Sequence, residues 1–94
     1  MNARDLILNI AVNLGRLSKF ALEKREQRLH QFLKDTDYYV EQLKNVPKTD
    51  QFNPTYQCFM KKFQELKNDV RLDEDWAEDA LTWANILTHR AKLA

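Results

Sequence analysis

The segment EKREQR, residues 23–28, decides how this chain folds. Apolar stripes at helical spacing stand on both sides of it, and from Ala3 to about Asn45 the chain has no proline and a single glycine, Gly15. With residues placed at 100° intervals, the face formed by Leu6, Ile10, Leu14, Leu17 and Ala21 is out of phase by roughly 75° with that of Phe32, Leu33, Thr36, Tyr39, Val40 and Leu43. Lys24, Arg25 and Arg28 fall where the first stripe would continue.

Two architectures follow. An unbroken helix over residues 3–45 would be about 60 Å long at 1.5 Å per residue, and the later helices, about 25 and 30 Å long, could not cover both its ends. A second copy would then complete the core. A break near residues 22–28 instead gives segments of matched length that close as a four-helix bundle. The segment holds no turn former, so local propensity favours continuity, while segment length favours the break. An intertwined dimer would satisfy both. Asp35, Thr36 and Asp37 are cap-type residues and mark a second candidate kink.

The rest of the chain reads as two further helices. In QFNPTYQCFMKKFQELKNDV, Asn53 is the expected N-cap and Pro54 the first helical residue, with Tyr56, Phe59, Met60, Phe63, Leu66 and Val70 as its stripe. A short link at RLD implies an antiparallel hairpin. The last helix, residues 74–92, is capped by Asp73 and carries Trp76, Ala80, Trp83 and Leu87 on one face, with Ala77, Ala84 and Ala91 letting a neighbour come close. At the start of the chain, Asn2 is the expected cap, with Asp5 three residues on. The expected fold is therefore all-α: one domain over residues 1–94, an antiparallel bundle of three or four helices with a long first helical region over about 3–45, completed by dimerisation if that region is unbroken.

Composition removes several function classes. No stretch of 18 apolar residues exists, so no membrane span is expected; Asp5, Asn9 and Asn13 interrupt the opening apolar run, which argues against a signal peptide. The lone Cys58 precludes an intramolecular disulfide and points to a reducing, cytoplasmic setting. Neither His30 nor His89 has a glutamate three residues before it, and there is no glycine-rich phosphate loop, nucleophile elbow or Cys–His signature. No cofactor, metal or catalytic residue is expected, and the chain does not read as an enzyme.

Charge is distributed unevenly although the total is only +1. Between residues 16 and 34, Arg16, Lys19, Lys24, Arg25, Arg28 and Lys34 outweigh Glu23 and Glu26, for a local charge of +4. Between residues 64 and 79 the local charge is −5. Lys24, Arg25 and Arg28 form a candidate basic partner-binding patch, and Glu74, Asp75, Glu78 and Asp79 a candidate acidic face whose simplest role is to complement the positive end of the helix dipole. Leu6, Ile10, Leu14 and Leu17 are a candidate homotypic interface. Cys58 is expected to face outward, and Lys61 and Lys62 beside it make it a candidate reactive thiol.

The function expected from these features is that of a non-enzymatic, self-associating protein-interaction or regulatory module. The partners are another protein and a second copy. The rival reading is a nucleic-acid-binding protein using residues 16–34; the pI of about 7.9 and the acidic segment speak against it. A membrane partner is not expected.

Overall fold

The long first region breaks at residues 23–25. The computed structural model describes residues 1–94 as four α-helices, α1 (Ala3–Leu22), α2 (Glu26–Lys44), α3 (Asn53–Asn68) and α4 (Glu74–Arg90), ending in a 3-10 turn over Ala91–Leu93. Three hydrogen bonds make the break: the backbone N–H of Glu23 donates to Lys19 O at 3.0 Å, that of Lys24 to Ala21 O at 3.2 Å and that of Arg25 to Phe20 O at 2.9 Å. The last two are the paired bonds of a Schellman motif, which satisfies carbonyls that a helix end otherwise leaves without partners. Its left-handed position belongs to Lys24, at φ 57°, where glycine is the usual occupant. A side chain there costs about 1 kcal/mol. The Lys24 ammonium offsets this by donating to Leu72 O, 2.7 Å away in the α3–α4 connection.

That tie places the α1–α2 turn and the α3–α4 connection at the same end of the bundle. At the other end, Thr49 accepts from the Phe52 N–H at 3.1 Å and donates to the Leu93 carbonyl, joining the α2–α3 connection to the C-terminus. The order is up, down, up, down. Helix α1 is central, packing most extensively on α4 and then on α2.

Twenty-three buried apolar residues form one core. Leu6, Ile7, Ile10, Leu14 and Leu17 of α1 are fully buried in it, together with Leu29, Val40 and Leu43 of α2, Phe59 and Phe63 of α3 and Leu87 of α4. Each such side chain contributes roughly 1.5–3 kcal/mol of transfer free energy. Ala77, Ala80, Ala84 and Ala91 are buried too, and these small residues let α4 approach α1 closely. Trp76 is buried and its indole N–H donates to Leu66 O at 3.2 Å, satisfying a carbonyl in the last turn of α3. Trp83 is half-buried against the Phe59 ring, 5.9 Å between centroids.

The caps at Asn2 and Asp73 form as expected, accepting from the N–H groups of Asp5 and Trp76. The α3 start is corrected by one residue. Asn53 is already helical, and the capping position belongs to Phe52, whose side chain is fully buried in the core. The possible kink at Asp35–Asp37 is absent: α2 runs through it, with Thr36 buried and its hydroxyl donating to Phe32 O at 2.6 Å. No helix is long and apolar enough to cross a membrane.

Two substitutions test this account. Lys24→Ala and Lys24→Gly both remove the bond to Leu72, but only glycine relieves the left-handed backbone, so the glycine variant should be the more stable by about 1 kcal/mol in urea unfolding. Gly15 lies inside α1 with open space where a Cβ would stand, and Gly15→Ala should raise stability by about 0.5–1 kcal/mol in the same measurement.

Candidate functional site

The outer face of α1 and α2 carries a trough of polar and aromatic side chains. Its centre is a cluster of four groups, two guanidinium groups and two rings inclined by 60° to each other. Phe20 of α1 and Phe32 of α2 lie 5.2 Å apart between ring centroids, the Arg16 guanidinium sits 5.6 Å from the Phe32 centroid, and the Arg28 guanidinium sits 5.6 Å from that of Phe20. Stacking on a ring holds a guanidinium flat and leaves its N–H edge free for a planar anion such as a carboxylate. Lys19, Glu23 and Arg25 complete the lining of this cavity, of about 500 Å³. Arg25 pairs with Glu23 at 3.3 Å, whereas Arg16, Lys19 and Arg28 have no carboxylate within ion-pair distance.

A second cavity of about 320 Å³ continues the trough along α1, sharing Arg16 and Phe32 with the first. Asn9, Val12 and Asn13 line it from α1, and Asp35, Tyr38 and Tyr39 from α2. Asn13 is only 7% exposed, yet its carboxamide makes no hydrogen bond within the chain. No buried side-chain polar atom is sealed off without a partner, so what remains accessible of this amide faces the cavity it lines. Two large apolar side chains flank the trough in solvent, Val12 at 54% and Tyr38 at 65% exposure.

The expected site residues are thus distributed as follows. Arg25 and Arg28 lie at the cationic end of the trough, but Lys24 is withdrawn from that patch by its bond to Leu72 O. Leu6, Ile10, Leu14 and Leu17, expected at a homotypic interface, are fully buried by the chain's own helices, because the break at Lys24 folds α2 back over α1. Glu74, Asp75, Glu78 and Asp79 are all exposed on α4. They do not converge; nowhere do three or more His, Cys, Asp or Glu side chains come together as a metal site. Asp79 and Glu65 flank Lys62 at 3.5 and 3.2 Å, linking α4 to α3. The hydrogen bond to Glu65 chiefly, with Asp79 beside it, holds the Lys62 ammonium above the ordinary lysine pKa of 10.5. Its contribution to folding is therefore complete below pH 10.5 and is lost as the pH rises through the raised value. Cys58 is exposed on α3, as expected, with the neighbouring Lys62 engaged by those two carboxylates.

Sequence reasoning passed over Phe20, Asn13 and Tyr38, although Asn9, Asn13, Arg16 and Phe20 recur at steps of four, three and four and so share a face of α1. No family model matches this chain, and no curated protein or solved structure matches it.

Asn13 is almost wholly withdrawn from solvent and gains no hydrogen bond from the chain in exchange, so its amide opposes folding by up to about 1 kcal/mol. Asn13→Leu keeps the volume and removes the amide, so it should stabilise the bundle by about 1 kcal/mol in urea unfolding. A loss of stability of that size would mean the amide is satisfied in the folded chain.

Proposed function

We propose that the chain is a protein-interaction module that receives an acidic segment of a partner protein in the α1/α2 trough. One observation carries the reading: Arg16 and Arg28 are braced on a Phe20–Phe32 pair and left without carboxylate partners, beside exposed Val12 and Tyr38. Arginine and tyrosine anchors next to apolar surface are the composition of protein-binding hot spots. A face built for a nucleic-acid backbone would spread cations along its length. Here the cations run from Arg16, in the middle of the trough, to its α1 C-terminal end, and the other half carries Asp35 and no further cation.

The proposed role is binding rather than catalysis. The two histidines are exposed on separate helices, His30 beside Glu26 at 3.9 Å and His89 in the last turn of α4, with no shielded cleft between them. Self-association through the interior α1 stripe is not part of this reading. A reducing, cytoplasmic setting is its natural context, given the single exposed thiol.

The test compares two probes by fluorescence anisotropy, a glutamate-rich labelled peptide and a labelled single-stranded oligonucleotide of similar charge. The peptide should bind more tightly, and the Arg16→Glu, Arg28→Glu double variant should weaken it at least tenfold, a change of about 1.4 kcal/mol, while leaving the helical signal intact. Preferred binding of the oligonucleotide with a steep salt dependence would transfer the trough to nucleic acid. Binding of neither probe would reject the reading.

A further inference from the structure

We propose that the trough reads the main chain of its partner: an extended segment lies along α1 with the N–H and C=O of one residue paired to the Asn13 carboxamide and its acidic side chains on Arg16, Lys19 and Arg28. This rests on the protein-interaction reading and specifies the form in which the acidic segment is held.

The chemistry of Asn13 leads to it. A carboxamide offers donor and acceptor side by side, and the N–H and C=O of one residue in an extended segment face the same way and present that pair in reverse, so the two can join through two hydrogen bonds. The carboxamide is nearly enclosed, forms no bond within the chain and borders an open cavity. Asn9 stands one helical turn away on the same cavity. Its amide nitrogen already donates to Asp5 O at 2.9 Å and to the Met1 sulfur at 3.6 Å, which leaves its oxygen to accept from one further N–H.

The spacing fits an extended chain. Four residues of helix rise about 6.0 Å, and two residues of β-strand span about 6.6 Å, so Asn9 and Asn13 meet main-chain groups two residues apart. From Asn9 to Glu23 the trough follows α1 for about 21 Å, the length of about six extended residues. In such a segment alternate side chains face the same way. Those turned inward meet Val12, Tyr39 and Phe32 near Asn13 and the unpaired cations beyond it.

Charge fixes direction. Asp35 beside Asn13 repels a carboxylate, whereas Arg16, Lys19 and Arg28 attract one, so the acidic residues belong at the α1 C-terminal end and uncharged residues over the asparagines. A small apolar ligand would find these cavities too open. A phosphodiester backbone has no N–H for the Asn9 oxygen, although the edge of an adenine base offers Asn13 a donor and an acceptor, and the test separates that case.

The probe is a fluorescein-labelled octapeptide, Ala-Ala-Val-Ala-Glu-Glu-Glu-Glu, compared with the same peptide N-methylated at its alanines and with a short oligodeoxyadenylate. Asn13→Leu should weaken the unmodified peptide about tenfold and leave the already weaker N-methylated peptide unchanged, since the group it would pair with is blocked. Circular dichroism confirms that the variant is folded. Equal losses on both peptides, or none on either, would overturn the main-chain pairing. Binding that Arg16→Glu, Arg28→Glu abolishes but Asn13→Leu does not would reject the pairing and keep the protein-interaction reading. Failure of the native protein to bind either peptide would reject both. Oligodeoxyadenylate binding that depends on Asn13 would assign the amide to a base and overturn the proposal.

Discussion

Helix α1 has apolar residues on more than one side, and the bundle is organised by the need to cover them. Leu6, Ile10, Leu14, Leu17 and Ala21 define one line, Ile7 and Ala11 a second, and all are buried. A single neighbour cannot shield so wide a surface. Helix α4 therefore lies on one side with its alanines inward, and α2 on another, which requires the chain to reverse within three residues of Leu22. The left-handed backbone at Lys24 is the local consequence. Its cost of about 1 kcal/mol is small beside the burial of even one leucine, so tertiary packing overrides the preference of residues 23–28 to stay helical.

The same reversal arranges the charge. Once the α1–α2 turn lies against the α3–α4 connection, the basic and acidic segments share one end of the molecule, joined by the Lys24–Leu72 bond. Their side chains nonetheless form ion pairs with partners nearer in sequence or on an adjacent helix: Arg25 with Glu23, Arg71 with Asp69, Lys62 with Glu65 and Asp79. Arg16, Lys19 and Arg28 are left facing solvent beside aromatic rings. Mutual neutralisation of the two segments, the plainest explanation of the charge pattern, thus does not extend to these three cations.

Most of the fold was legible in the sequence because the stripes of α3 and α4 obey a clean helical period and Asn2 and Asp73 are strong caps. The break was legible only as a phase shift. Its exact position was hidden because a lysine, not a glycine or asparagine, holds the left-handed position, and the bond that secures it comes from a residue 48 positions away. The same limit applies to the trough. Arg25 and Arg28 could be picked out as charge, but the cluster of Arg16, Phe32, Phe20 and Arg28 joins two helices whose relative rotation no stripe specifies. The α1 stripe carries a related ambiguity: periodicity shows that it must be covered but not by which chain.

The two sides of this molecule differ in how their polar groups are met. On the α3/α4 side, Trp76 satisfies a carbonyl, Lys62 is shared by two carboxylates and the alanines of α4 pack inward. On the α1/α2 side, Asn13 makes no hydrogen bond within the chain, Arg16, Lys19 and Arg28 line the trough without counter-charges, and Val12 and Tyr38 stand in solvent beside them. Leucine at Asn13 and a carboxylate near Arg16 would be ordinary solutions to folding alone. The choices made instead at this trough are what the proposed protein-binding role would require of it. On that proposal a single extended ligand would meet them all, because the amide, the rings and the guanidinium groups line a continuous path only about 21 Å long.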